Sequence, residues 1–131
     1  MTTQQWGPLL WHIIHTISKK LPSKLSQKDI YFTKQLINII AYIIPCFKCQ
    51  KHYMTNIIKY KPNFDSNEAV FKWTVKIHNL VNKHNNKSIV TLNQAKKITE
   101  DKLSNNKINK LILFLSKESS NRNISKNALL K

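Results

Sequence analysis

The sequence predicts an all-α fold, a four-helix bundle with a short fifth helix, and two observations carry that prediction. The chain of 131 residues has a single glycine, Gly7, and four prolines, too few turn formers for a β protein. Its apolar residues recur at helical spacing nearly throughout. With 41% hydrophobic residues the composition is globular, and the length suits one domain with one modest core.

Pro8 is expected to open the first helix, which runs to about Ser18 on Leu10, Trp11, Ile14 and Ile17. Lys19 and Lys20 suit its C-terminal end, and Leu21-Pro22 closes it. Ser26 with Asp29 three residues later resembles a capping box for a second helix carrying Ile30, Leu36, Ile37, Ile40, Ile43 and Ile44. That helix should stop before Pro45. A third begins at Pro45-Cys46 and runs to about Lys59. A fourth starts at Asp65, with Glu68, and buries a stripe of Val70, Trp73, Ile77, Leu80 and Val81, breaking in the polar run Lys83 to Lys87. Thr91 with Gln94 signals a short fifth helix, and Leu103 with Ile108 to Leu115 adds a last amphipathic segment. Residues 1–115 therefore read as one domain and 116–131 as a polar tail expected to be disordered.

The formal charge of +16 is almost all lysine, with Arg122 the sole arginine. Lysine suits nonspecific attraction to acidic surfaces, whereas base readout leans on arginine's fork, which argues against nucleic acid as partner. The lysines travel with many Asn and Ile, a mixture typical of AT-rich coding. The charge thus reads first as compositional drift on a solvated surface, with selection for an acidic partner as the alternative. No apolar run approaches bilayer length. The start, MTTQQWGP, lacks the features of a secretory signal, so a cytoplasmic location is expected.

Cys46 and Cys49 are the only cysteines, too few for a disulfide scaffold. Placed at i and i+3 on the first turn of a helix, they lie on one face and within reach of each other. The positive end of the helix dipole favours thiolate, the form that exchanges disulfides, and Lys48 and Lys51 add positive charge. Two other readings compete: cysteines packed as small hydrophobes, or zinc held with two of His12, His15, His52, His78 and His84. The histidines lack the regular second pair of a structural zinc site, so no metal is expected.

Three separated motifs bear on the choice. Trp6-Gly7, Trp11 and His15 form a W-G-x-x-x-W-x-x-x-H pattern, Pro45-Cys46 to Cys49 form P-C-x-x-C, and Trp73 precedes His78-Asn79-Leu80-Val81-Asn82. In this order they resemble the Erv/ALR family of FAD-linked sulfhydryl oxidases, most closely the short versions encoded by large DNA viruses. The resemblance covers about residues 4 to 100. It implies FAD bound within the bundle and catalytic Cys46 and Cys49. It implies cofactor contacts from Gly7, Trp11, His15, His52, His78, Asn79 and Asn82, with Lys83 and Lys87 near the phosphates. It also implies a thiol oxidase that makes disulfides in substrate proteins, with Cys49 facing the flavin, oxygen as acceptor and hydrogen peroxide as product. A homodimer follows from the same resemblance, and for a viral member so do the host-cell assembly site and the virion. The competing reading is a basic helical module, binding nucleic acid or an acidic protein, with structural cysteines.

The chain departs from the family pattern in three places. Without a third cysteine there is no shuttle pair, so substrate must reach Cys46 directly or a small thioredoxin-like dithiol protein must relay. Ile44 stands where cellular members have a tyrosine before P-C. An aromatic that many members place near the adenine has no match between Lys87 and Lys102.

Overall fold

A computed structural model describes residues 1–119, with residues 118 and 119 described in backbone only. Among these residues there are six helices: α1 (Thr3–Lys20), α2 (Gln27–Ile43), α3 (Phe47–Lys59), α4 (Asn67–His84), α5 (Leu92–Glu100) and α6 (Asn105–Ser119). The all-helical class read from the sequence is what the fold shows. The tail expected from 116 meets helix through Ser119, and its remainder lies outside the described residues.

Local chemistry explains most boundaries and corrects two. The capping boxes at Ser26 and Thr91 form as read, each side-chain oxygen accepting from the backbone N–H three residues on. The first helix, however, begins at Thr3 rather than Pro8. The Gln5 side chain accepts from the Thr2 N–H at 2.8 Å and closes an earlier cap, leaving Pro8 inside the helix. Likewise α4 is capped by Ser66 rather than Asp65, its hydroxyl accepting from the Ala69 N–H at 3.1 Å. The end of α4 is a Schellman turn. Asn86 takes a positive φ of 56°, which asparagine tolerates, while its N–H donates to Lys83 O and the Lys87 N–H donates to Asn82 O.

α1 and α4 pack antiparallel, since Trp11 meets His78 near one end while Asn67 donates to the Leu21 carbonyl at the other. α3 and α4 are also antiparallel, with His52 against His84 and the Trp73 indole donating to the Tyr60 carbonyl. The short link Ile44-Pro45 brings the end of α2 to the start of α3, and Tyr53 donates to the Ile37 carbonyl to hold the pair. α6 lays Leu111 and Leu115 onto the main core beside Trp6, Ile40, Ile57 and Ile77. α5 closes a smaller cluster of Phe71, Val75 and Ala95. None of the described helices is long and apolar enough to cross a membrane. The starts of α1 and α3 and the ends of α2 and α4 thus lie toward one end of the bundle, with the two cysteines there, while Trp73 sits by the far end of α3.

Candidate active site

Cys46 is the N-cap residue of α3, and its Sγ accepts the Cys49 backbone N–H at 3.3 Å. A hydrogen bond of this kind, at the positive end of the helix, favours sulfur in its thiolate form. Both sulfurs are half-buried against the core and stand as a dithiol. Pro45 ends α2 and α3 starts at once, so the sequence signal X-Pro-Cys builds the cap directly.

Across from it, α1 and α4 build a chain of rings. Thr74 donates its hydroxyl to the Phe71 carbonyl at 2.7 Å, so toward His15 Nδ1, 2.9 Å away, it can only accept. A neutral His15 then carries its proton on Nδ1 and leaves Nε2 as an acceptor. His78 Nδ1, 2.9 Å from that nitrogen, must be the donor. The second nitrogen of His78 is left with a bare lone pair, an acceptor. Trp11 stacks on His78 with centroids 4.3 Å apart and planes 8° from parallel.

Both histidines are held neutral. Burial, with His78 and His12 beside it, pushes His15 down to about 3 from 6.5. Burial and the charge of Lys87 push His78 down to about 4. The unfolded chain takes up protons below 6.5 that the folded chain refuses until about 4 and 3. Stability is therefore lost as pH falls through that window. Urea unfolding should show each ring costing about 2 kcal/mol at roughly pH 5 relative to pH 7. A stability unchanged by this drop would mean the rings titrate normally.

The structure places Gly7 and His52 toward the cysteine end and lines Trp11, His15 and His78 along the α1/α4 interface, with His15 against Thr74 in the middle of α4, in differing roles. His15 has no exposed surface, so a ligand cannot touch it; it holds His78 in place. His52, one turn past Cys49, stacks on His84 at 4.1 Å, and its pKa is lowered by burial and by that neighbour. Asn79 uses both ends of its amide on Val90, donating to its carbonyl and accepting its N–H at 2.8 Å each. Asn82 donates to the Ser88 carbonyl at 3.1 Å. The two asparagines pin the returning segment 88–90 against α4. Lys83 and Lys87 are exposed on that same turn.

Sequence reasoning missed the place of two members of this end. One is His84, weighed there only as a zinc ligand, whose place beside His52 depends on the α3/α4 register. The other is Gln50, directly after Cys49, which is 2% exposed with its Nε2 buried and unpartnered. Its position among the buried residues of α3 (Gln50, Tyr53, Asn56 and Ile57) is the signal that points to it.

The residues present fit the FAD that the resemblance implies. A Cβ built on Gly7 would meet nothing within 4 Å, so the backbone beside Trp11 is open to a flat group. A buried amide donor such as Gln50 Nε2 costs about 1–3 kcal/mol unless an acceptor arrives, and a flavin is rich in acceptors. An apolar cavity also lies between α1, α2, α3 and α4. Lined by Trp11, Ile14, Ile40, Tyr53 and Trp73, it holds about 30 Å³. Among the described residues no group of three or more His, Cys, Asp or Glu converges as a metal site would require.

Comparison with known proteins bears on the same end of the molecule. Residues 8–102 match the sequence model of the Erv1 / Alr family. The chain is 30% identical over 107 residues to the probable FAD-linked sulfhydryl oxidase R368 of Acanthamoeba polyphaga mimivirus, covering 79% of this chain and 75% of that protein. It is 29% identical over 100 residues to the FAD-linked sulfhydryl oxidase of African swine fever virus, isolate Tick/Malawi/Lil 20-1/1983, covering 76% and 84% respectively. The fold is similar to the crystal structure of the yeast Erv1 core, with a TM-score of 0.71 and 27% identity across 79% of this chain and 88% of that one.

Proposed function

The chain belongs to the Erv1 / Alr family and is an FAD-dependent thiol oxidase, and we propose that Cys46 and Cys49 are its redox pair. The observation that carries the assignment is the capped geometry of Cys46, with Cys49 one turn on in the same helix and His52 one turn beyond it.

In the proposed cycle a substrate thiolate attacks Cys46 Sγ of the oxidised pair. The Cys46–Cys49 bond breaks, a mixed disulfide forms, and Cys49 leaves as thiolate. A second substrate thiolate then attacks the substrate sulfur of that mixed disulfide and releases Cys46 as thiolate, which the Cys49 N–H is placed to stabilise. The substrate leaves with a disulfide and the pair holds two electrons. The chemistry bound FAD supplies is acceptance of that electron pair from the Cys49 side and its transfer to oxygen, with hydrogen peroxide as product.

Gly7, Trp11, His52 and His78 are the proposed direct holders of the cofactor. His78 offers an acceptor nitrogen suited to a hydroxyl or amino group, and His15 fixes that nitrogen's protonation from behind. Asn79 and Asn82 shape the wall through residues 88–90, and Lys83 and Lys87 offset phosphate charge. Residues 1–115 form the proposed catalytic domain and 116–131 a tail. A homodimer is supported by the exposed Tyr31, Phe32 and Ile39 on α2, with apolar surface left for a second copy. No third cysteine stands within these 131 residues, and a small thioredoxin-like dithiol protein is the proposed relay. The proposed site of action is the cytoplasm and, given the viral relatives, a host-cell assembly site and the particle.

The purified protein should be yellow, with a flavin absorbance that bleaches anaerobically under dithiothreitol and recovers in air. A colourless preparation that binds no added FAD would sink this reading.

A further inference from the structure

Acidic residues are placed as unevenly as they are few. Residues 30–64 and 69–99, which hold the redox pair and most of the proposed cofactor wall, contain no Asp or Glu. The helix directions put the acids of the described side chains at the other end of the bundle. Asp29 stands at the start of α2, and Asp65 and Glu68 at the start of α4, where Glu68 lies 4.0 Å from Lys72. Glu100 and Asp101 follow Thr99, whose hydroxyl accepts from Lys19 at the end of α1. That is also the end far from the cysteines.

The cysteine end is cationic by contrast. Lys48 lies exposed between the two cysteines in sequence, and Lys51 holds its ammonium 5.1 Å from the centroid of the Phe47 ring. Phe47 is itself 62% exposed, an apolar face beside Cys46. Lys87 is close enough to His78 to oppose its charging, and Lys83 adjoins the His84 that stacks on His52. With no acid among them, these charges sum rather than cancel, and a field of one sign steers charged partners toward the site it surrounds. A composition-wide drift toward lysine accounts for the excess of positive charge. It does not account for the acids of the described side chains all standing at the opposite end.

We propose that the cysteine end is a docking surface for a protein dithiol flanked by acidic residues, with Lys48, Lys51 and Phe47 as its specificity-determining contacts. Resting on the thiol-oxidase reading, this names the substrate class that the site selects. Acidic side chains beside the substrate cysteines would pair with the lysines, and an apolar neighbour would pack on Phe47. The gain lies chiefly in the rate of productive encounter and is screened by salt.

The test compares kcat/KM for two peptides that share a Cys-x-x-Cys core, one flanked by Asp and Glu, the other by Lys. At low salt the acidic peptide should be oxidised about tenfold faster or more, and high salt should erase the difference. The double variant K48E/K51E should lose the preference, whereas K20E/K24E, with the same charge change at the far end, should keep it. Dithiothreitol, uncharged, carries any change in thiolate formation caused by the lost lysines, so the readout is the ratio between the two peptides within each protein, and retained flavin absorbance verifies that the variants are folded. If the wild type fails with dithiothreitol, the thiol-oxidase reading itself fails. If dithiothreitol is oxidised and both peptides react equally, this inference alone is overturned. It is equally overturned if the peptides react alike while a duplex oligonucleotide blocks their turnover through Lys48 and Lys51.

Discussion

A Cys49→Ala variant is expected to keep its flavin and its fold yet lose turnover with dithiothreitol by about a thousandfold or more. The redox step needs two sulfurs one helical turn apart, and alanine removes the one proposed to face the cofactor. The backbone N–H that caps Cys46 belongs to residue 49 whatever its side chain, so the start of α3 survives the change. Cys49 is half-buried at the edge of the core, and losing one sulfur there costs stability only modestly. Yellow colour with no thiol-driven bleaching is the expected outcome. Normal oxidation of dithiothreitol by this variant would remove Cys49 from its assigned place.

His15→Ala should be among the most destabilising single substitutions in the chain, at about 3 kcal/mol in urea unfolding. The ring is fully enclosed, so its removal leaves a cavity that cannot fill with solvent from outside. It also strips an acceptor from the His78 Nδ1–H and a donor from Thr74, two polar groups that are themselves nearly buried. His78 would then be free to rotate or change tautomer, and the stacked Trp11 would lose its partner's fixed plane. FAD affinity should fall with the stability, and the unfolding midpoint should be measured with and without excess FAD to separate the two. A loss below about 1 kcal/mol would mean that the hydrogen-bonded chain contributes little.

The two variants touch residues of different legibility. The cysteine pair and its helix could be read outright, because proline, N-cap and the i, i+3 spacing are all local. The same holds for the Ser26 and Thr91 caps. The start of α1 could not be read so directly. Pro8 is the stronger textual signal for a first turn, but the Gln5 amide closes a cap on Thr2 and the proline is carried inside the helix. At α4 the Asp65/Glu68 spacing reads as the start, and the folded geometry puts the cap one residue on, at Ser66. Long-range pairings were hidden altogether. The protonation of His78 is decided by Thr74 through His15, across 63 residues of sequence, and follows from the register of α1 on α4. Asn79 is a cofactor contact by family resemblance, and nothing in the sequence signals that each end of its amide also bonds Val90 across a turn. Gln50 goes unremarked in the motifs, and its burial beside Cys49 shows once α3 packs.

The cap on Cys46 bears on thermodynamics as well as on rate. A hydrogen bond to a thiolate stabilises the reduced pair, because a disulfide sulfur is a far weaker acceptor. Whatever steadies the dithiol raises the reduction potential of the couple, by about 30 mV for each 1.4 kcal/mol. The amide of Cys49 therefore sets the pair toward the oxidising side, so that electrons drawn from a substrate run downhill into it. The opposing requirement is that the pair must still surrender them to the cofactor, so the cap must favour the dithiol without trapping the electrons there.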